Sequence, residues 1–166
     1  MTPGLCTFCA VGIWTLAVAA GNAQSDTRRS TKTTTVLFIC PHGAAKSVLA
    51  SAYFKQLAKE RGLSVRVETA GTEPEAKVSP AVAEHLTKQG VSVPIEKPRP
   101  VTTQDLELAD VVITMGCDVS GLGPVRGDLR KWDDIPAVSE QFAASDQAIR
   151  RKVTDLIEEL VKRNQK

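Results

Sequence analysis

The residues best equipped for chemistry in this chain lie in one short stretch, "VLFICPHGAAKS", residues 36–47. An apolar run ends on Cys40, a small-residue loop follows, and Lys46-Ser47 leads into a helical pattern. A cysteine placed where a strand hands over to a helix sits in the field of the helix N-terminus, which favours the thiolate. The amides and side chains of Pro41, His42, Gly43, Ala44, Ala45 and Lys46 occupy the loop, and successive backbone N–H groups in such a turn can converge on an anion. Such a loop would hold a bound anion beside the Cys40 thiolate. Gly43 adopts positive φ without steric cost, and Ala44 and Ala45 leave room for a tetrahedral anion against the backbone.

The elements that must position these groups follow from periodicity. "TTTVLFIC" is apolar and β-branched without alternation, the pattern of a strand covered on both faces. Residues 47–59 repeat apolar side chains at helical spacing. "SVRVETAGT" is a second strand, broken by Gly71 and parallel to the first because the helix supplies the crossover. Ser79-Pro80 opens a helix with a hydroxyl at N-cap and proline at N1, and Gly90 closes it. A proline-rich connector leads to a short helix, "QDLELA", capped by Thr103, then to a third strand, "DVVITM". A fourth strand is expected near "LRKW", and an amphipathic helix over residues 145–163 ends the chain. Alternating strands and helices predict an α/β, doubly wound three-layer sandwich on a four-stranded parallel sheet.

With 166 residues, 42% of them hydrophobic, the chain suits one globular domain. A net charge of +2 with both signs dispersed excludes the basic stripe of a nucleic-acid binder. The first 23 residues are uncharged and hold an apolar section too short to span a bilayer comfortably, with Gly21 and Ala23 at the −3 and −1 places of a cleavage site before Gln24. They read as a signal peptide (1–23), followed by a polar tail (24–34) and the folded domain (35–166). The product is then secreted or periplasmic, with no membrane span after cleavage. An uncleaved anchor and a cytoplasmic protein are the alternatives, since the n-region carries only the α-amino charge. Cleavage removes Cys6 and Cys9 and leaves Cys40 and Cys117, too few for a disulfide scaffold. With only two histidines, His42 and His85, no metal or other cofactor is expected.

The stretch "CPHGAAKS" resembles the phosphate-binding loop of the low-molecular-weight protein tyrosine phosphatase family, which also contains arsenate reductases. The family pattern is Cys, five residues, Arg, then Ser or Thr, between a strand and a helix. "ETAGTEP", "SPAVAEHLTKQGV", "ADVVITMGCD" and "KWDDIP" resemble its later landmarks in order. The resemblance implies Cys40 as the nucleophile, Ser47 as the hydroxyl that stabilises its thiolate, the amides of residues 41–46 as the oxyanion cradle, and Asp133 or Asp134 as general acid. It implies a phosphate- or arsenate-like anion, or a phosphorylated substrate, as the partner.

Two departures stand out. Lys46 replaces the arginine, keeping the charge but not the planar fork, and Ile135 separates Asp134 from Pro136 where the family usually has Asp-Pro. Cys117 is either a buried structural thiol or a resolving thiol for arsenate reduction, alone with Cys40 or with an external thiol. The segment after Trp132 lacks the paired tyrosines of phosphotyrosine pockets in eukaryotic members. Phosphomonoester hydrolysis leads, with arsenate reduction and oxyanion binding without turnover as the alternatives.

Overall fold

A computed structural model describes residues 33–164. The signal peptide and nearly all of the polar tail expected from the sequence lie outside the described residues. The elements run β1 (Thr34–Cys40), α1 (Lys46–Glu60), β2 (Val65–Gly71), α2 (Pro80–Lys88), α3 (Thr103–Leu108), β3 (Val111–Thr114), β4 (Asp128–Lys131) and α4 (Phe142–Asn164), with a single 3₁₀ turn at Ser120–Leu122. The sheet order is β2-β1-β3-β4, and every pairing is parallel. This is the α/β sandwich the alternation of elements predicts.

The unbroken apolar run of β1 has a direct cause. Val36, Phe38 and Cys40 enter one core, shared with α1, α2 and α4. Leu37 and Ile39 enter the other, closed by α3 and by Val101 and Val119. A strand buried on both faces has no polar side to alternate with. The thicker layer is organised around Phe38, whose ring meets Phe54 edge-on at 5.6 Å and Trp132 at 6.0 Å. Such aromatic pairs add to the burial of their large apolar areas. β4, at the sheet edge, is charged and largely exposed, the usual protection against edge-to-edge pairing.

Boundaries shift in three places. Thr102, not Thr103, caps α3: its hydroxyl accepts from the Asp105 amide while the Asp105 carboxylate accepts from the Thr102 amide, a reciprocal capping box. Ser79 occupies the N-cap of α2, but its side chain makes no capping bond; its amide donates to Ala44 O at 3.0 Å instead. α4 begins at Phe142, three residues before the apolar repeat announces it. β4 ends at Lys131, so Trp132 leaves the strand and its ring packs into the core. Gly90 closes α2 at φ +68°, as expected. Among the described residues, no helix is long and apolar enough to cross a membrane.

Candidate active site

Cys40 is the last residue of β1, paired in register with Gly71 at the end of β2. The loop that follows rests on that glycine. A Cβ on Gly43, which has φ +59°, would lie 2.9 Å from Gly71 N, and a Cβ on Gly71 would lie 2.6 Å from Gly43 N. Neither position accepts a side chain without moving backbone. Gly43 takes the positive φ expected of it and is also small because of what lies behind the loop. Gly71, which the sequence marks only as a strand breaker, is half of this contact.

The loop carbonyls are taken by the chain that leaves β2. Pro41 O accepts from Glu73 N at 2.8 Å, His42 O from Glu75 N at 3.0 Å and Ala44 O from Ser79 N at 3.0 Å. Among the described residues, the amides of residues 42–47 donate to no backbone carbonyl. Unpaired donors at the first turn of a helix, with their carbonyls fixed elsewhere, are the condition for an anion nest. No side chain caps α1, so its orphan amides are left for a ligand.

Cys40 is 3% exposed and Ser47 is fully buried, with Cys40 Sγ 3.2 Å from Ser47 Oγ. When the sulfur is a thiolate, the Ser47 hydroxyl donates to it and stabilises the charge. Cys40, Pro41, His42, Ala44, Ala45 and Lys46 line one cavity of about 390 Å³, whose remaining wall comes from Glu75, Ser79, Pro80, Ala81, Ala137, Val138 and Ser139. No aromatic ring other than the His42 imidazole lines it. That side chain is 60% exposed and lies 3.8 Å from the Glu75 carboxylate.

The two candidate acids are separated. Asp133 Oδ1 accepts from Gly116 N at 2.9 Å, at the exit of β3. Asp134 is 67% exposed and pairs with Lys152 of α4 at 3.0 Å, a bond that holds its carboxyl below the ordinary carboxylate range. Neither aspartate is among the residues lining the cavity. Lys46 Nζ donates to Ile135 O at 3.4 Å.

Cys117 is half-buried, and both it and Cys40 are free thiols. Burial pushes the Cys117 thiol up, the negative charges of Cys40 and Asp133 push it further, and the Met115 backbone and the Lys46 ammonium oppose them. His85 belongs to packing: it lies 3.2 Å from Asp146 and meets the Phe142 ring at 4.7 Å. Among the described residues, no group of three or more His, Cys, Asp or Glu side chains could hold a metal ion.

A buried cysteine at a strand end, a hydroxyl 3.2 Å from its sulfur and a loop of unpaired amides form an arrangement that can set a thiolate beside an oxyanion. The family of low molecular weight phosphotyrosine protein phosphatases matches residues 35–124, and the chain belongs to that family. A Halobacterium salinarum protein named "Putative arsenate reductase" is 33% identical over 132 residues, covering 76% of this chain and 93% of that one. The Bacillus subtilis "Protein-arginine-phosphatase" is 32% identical over 82 residues, 48% of this chain and 54% of that one.

Among solved structures, the Corynebacterium glutamicum thioredoxin-dependent arsenate reductase superposes with a TM-score of 0.62 at 31% identity over 82% of this chain. This chain spans 64% of that one, less than two thirds of its length. The low molecular weight phosphotyrosine phosphatase of Vibrio cholerae O395 shares the fold, with a TM-score of 0.68 at 20% identity over 76% of this chain and 96% of that one.

Proposed function

We propose that this protein is an exported cysteine-dependent hydrolase of phosphomonoesters. The observation that carries the reading is the Cys40–Ser47 contact at 3.2 Å, at the mouth of a loop whose amides are free. Cys40 Sγ attacks phosphorus, forming the S–P bond as the ester P–O bond breaks. The amides of residues 42–46 and the Lys46 ammonium hold the equatorial oxygens. Asp133 gives its proton to the leaving oxygen, then takes one from the water that displaces Cys40 and releases inorganic phosphate. Asp133 is assigned this role because Asp134 is engaged by Lys152. Small walls, Ala44, Ala45, Ala81, Ala137 and Val138, offer no stacking surface for a phenolic ring, so phosphotyrosine is not the favoured substrate.

Arsenate reduction is the second reading, favoured by the Halobacterium and Corynebacterium relatives. In it, Cys40 Sγ displaces one oxygen of arsenate, which leaves as water, to form an S–As bond, and Cys117 or an external thiol then attacks Cys40 Sγ. The electron pair leaves with arsenite, and a disulfide remains. Burial of Cys117 weakens its part in this reading, because its raised thiol value lowers the thiolate fraction.

The test is p-nitrophenyl phosphate hydrolysis by the full chain beside Cys40→Ser, together with an assay for arsenite in the presence of a dithiol. Release of p-nitrophenol that vanishes in Cys40→Ser supports the hydrolase. Arsenite production that requires Cys40 and Cys117 replaces it with the reductase. Calorimetric binding of phosphate with neither activity leaves an oxyanion binder. Export is tested by N-terminal sequencing of the extracytoplasmic protein, with Gln24 as the expected first residue.

A further inference from the structure

The acid segment, residues 132–136, is held at each of its five positions, by anchors from β1, α1, α4 and the exit of β3. The Trp132 ring packs on Phe38, Asp133 accepts from the Gly116 amide and Asp134 pairs with Lys152. Ile135 is buried, and its carbonyl accepts from Lys46 Nζ at 3.4 Å. Pro136 O accepts from Ser145 Oγ at 3.0 Å. Among the bonds of this segment, the one to Lys46 is the link to the anion loop. The ammonium also has a shaped neighbour: a Cβ on Gly116, which has φ +77°, would stand 3.4 Å from Lys46 Nζ. Gly116 thus serves twice, through the amide that holds Asp133 and through the open face beside the lysine.

We propose that Lys46 is a positioning residue for the general acid: its ammonium, seated between Gly116 and the Ile135 carbonyl, ties residues 132–136 to the oxyanion loop. An ammonium has three N–H donors. One donates to Ile135 O and leaves two for an oxyanion, so a single atom joins the bound anion to the segment that carries Asp133. A guanidinium has its five donors in a rigid planar fork, so turning one of them onto this carbonyl also turns the edge it shows to the anion. The two departures from the family pattern, lysine at 46 and the residue between Asp134 and Pro136, therefore meet at one hydrogen bond.

The proposal rests on the hydrolase reading for its kinetic consequences but not for its structural one, and the experiment separates them. In the full chain, Lys46→Arg keeps the charge and removes the seat. Because help from a general acid matters most for a poor leaving group, the expected fall in kcat is about tenfold or more for phenyl phosphate and clearly smaller for p-nitrophenyl phosphate. KM for both should change less than about threefold. An equal fall for both esters, or a fall carried by KM alone, overturns the proposal.

Lys46→Met, which removes the donor while keeping an unbranched, apolar stem on this half-buried position, is read by amide exchange and needs no turnover. Exchange at residues 133–135 should rise about tenfold, as loss of a charged hydrogen bond implies, with β1 unchanged. Unchanged exchange in that segment overturns the proposal even if the protein is an active hydrolase. Absence of Cys40-dependent turnover defeats only the hydrolase reading and leaves the exchange result to decide the seat.

Discussion

The two halves of the site are built by opposite means. The anion loop is held by backbone: its carbonyls are satisfied by amides of the segment after β2, and Gly43 touches Gly71 backbone to backbone. The acid segment is held chiefly by side chains, drawn from β1, α1 and α4, together with the Gly116 amide. A loop fixed by backbone contact tolerates changes in its side chains but not in its glycines. A segment fixed by side chains can be loosened one anchor at a time. The candidate nucleophile and its loop are thus placed by rigid backbone geometry, while the proposed proton donor depends on several independent contacts.

The largest expected effect on this contrast comes from the functional end of the side-chain half. Asp133→Asn keeps an oxygen for the Gly116 amide but removes the proton, and should lower kcat for phenyl phosphate by about 10²-fold or more. The matching change in the backbone half is Gly71→Ala. Its Cβ would meet Gly43 N at 2.6 Å, so the cost should approach about 3 kcal/mol in denaturant unfolding, with loss of phosphate binding by calorimetry. If Gly71→Ala is neutral in both measurements, the loop is not backed as described.

The side-chain mode extends to the contact among α1, α2 and α4. Asp146 of α4 accepts from Tyr53 of α1 and from Arg150, and approaches His85 of α2. Burial opposes its ionisation, yet the bonds from Tyr53 and Arg150 outweigh burial and hold the carboxyl below its usual range. A depressed carboxyl contributes stability above the ordinary carboxylate value, and that contribution is lost as pH falls through the folded one. Asp146→Asn should therefore cost about 2 kcal/mol near neutrality, with the gap to wild type closing below about pH 4. A gap independent of pH counts against this assignment. The smallest effect is expected at Asp134, an exposed partner of Lys152: Asp134→Asn should change kcat by less than about twofold. A large fall would move the general acid to Asp134.

Much of the loop half was legible in the chain itself. "VLFICPHGAAKS" displays a doubly buried strand, its terminal cysteine, a glycine able to take positive φ and a helix start carrying a hydroxyl, all within a dozen residues. These are local signals, and the Cys40–Ser47 contact is their direct product. The role of Gly71 was half visible, as a strand ending. The acid half was legible only as a choice between two adjacent aspartates. Which of them Lys152 engages depends on where α4 crosses, and α4 itself starts three residues before its apolar repeat.

What the sequence determined alone is the class of chemistry: residues close in the chain, on a strand and a helix whose patterns are unambiguous, have little freedom in how they meet. What only the tertiary structure decided is what stands around the proposed acid, Asp133. Lys46 and Ile135 are 89 positions apart, and Asp133 and Gly116 are 17 apart. No periodicity encodes such pairings, because they depend on the strand order β2-β1-β3-β4 bringing the exits of β1, β3 and β4 to one end of the sheet.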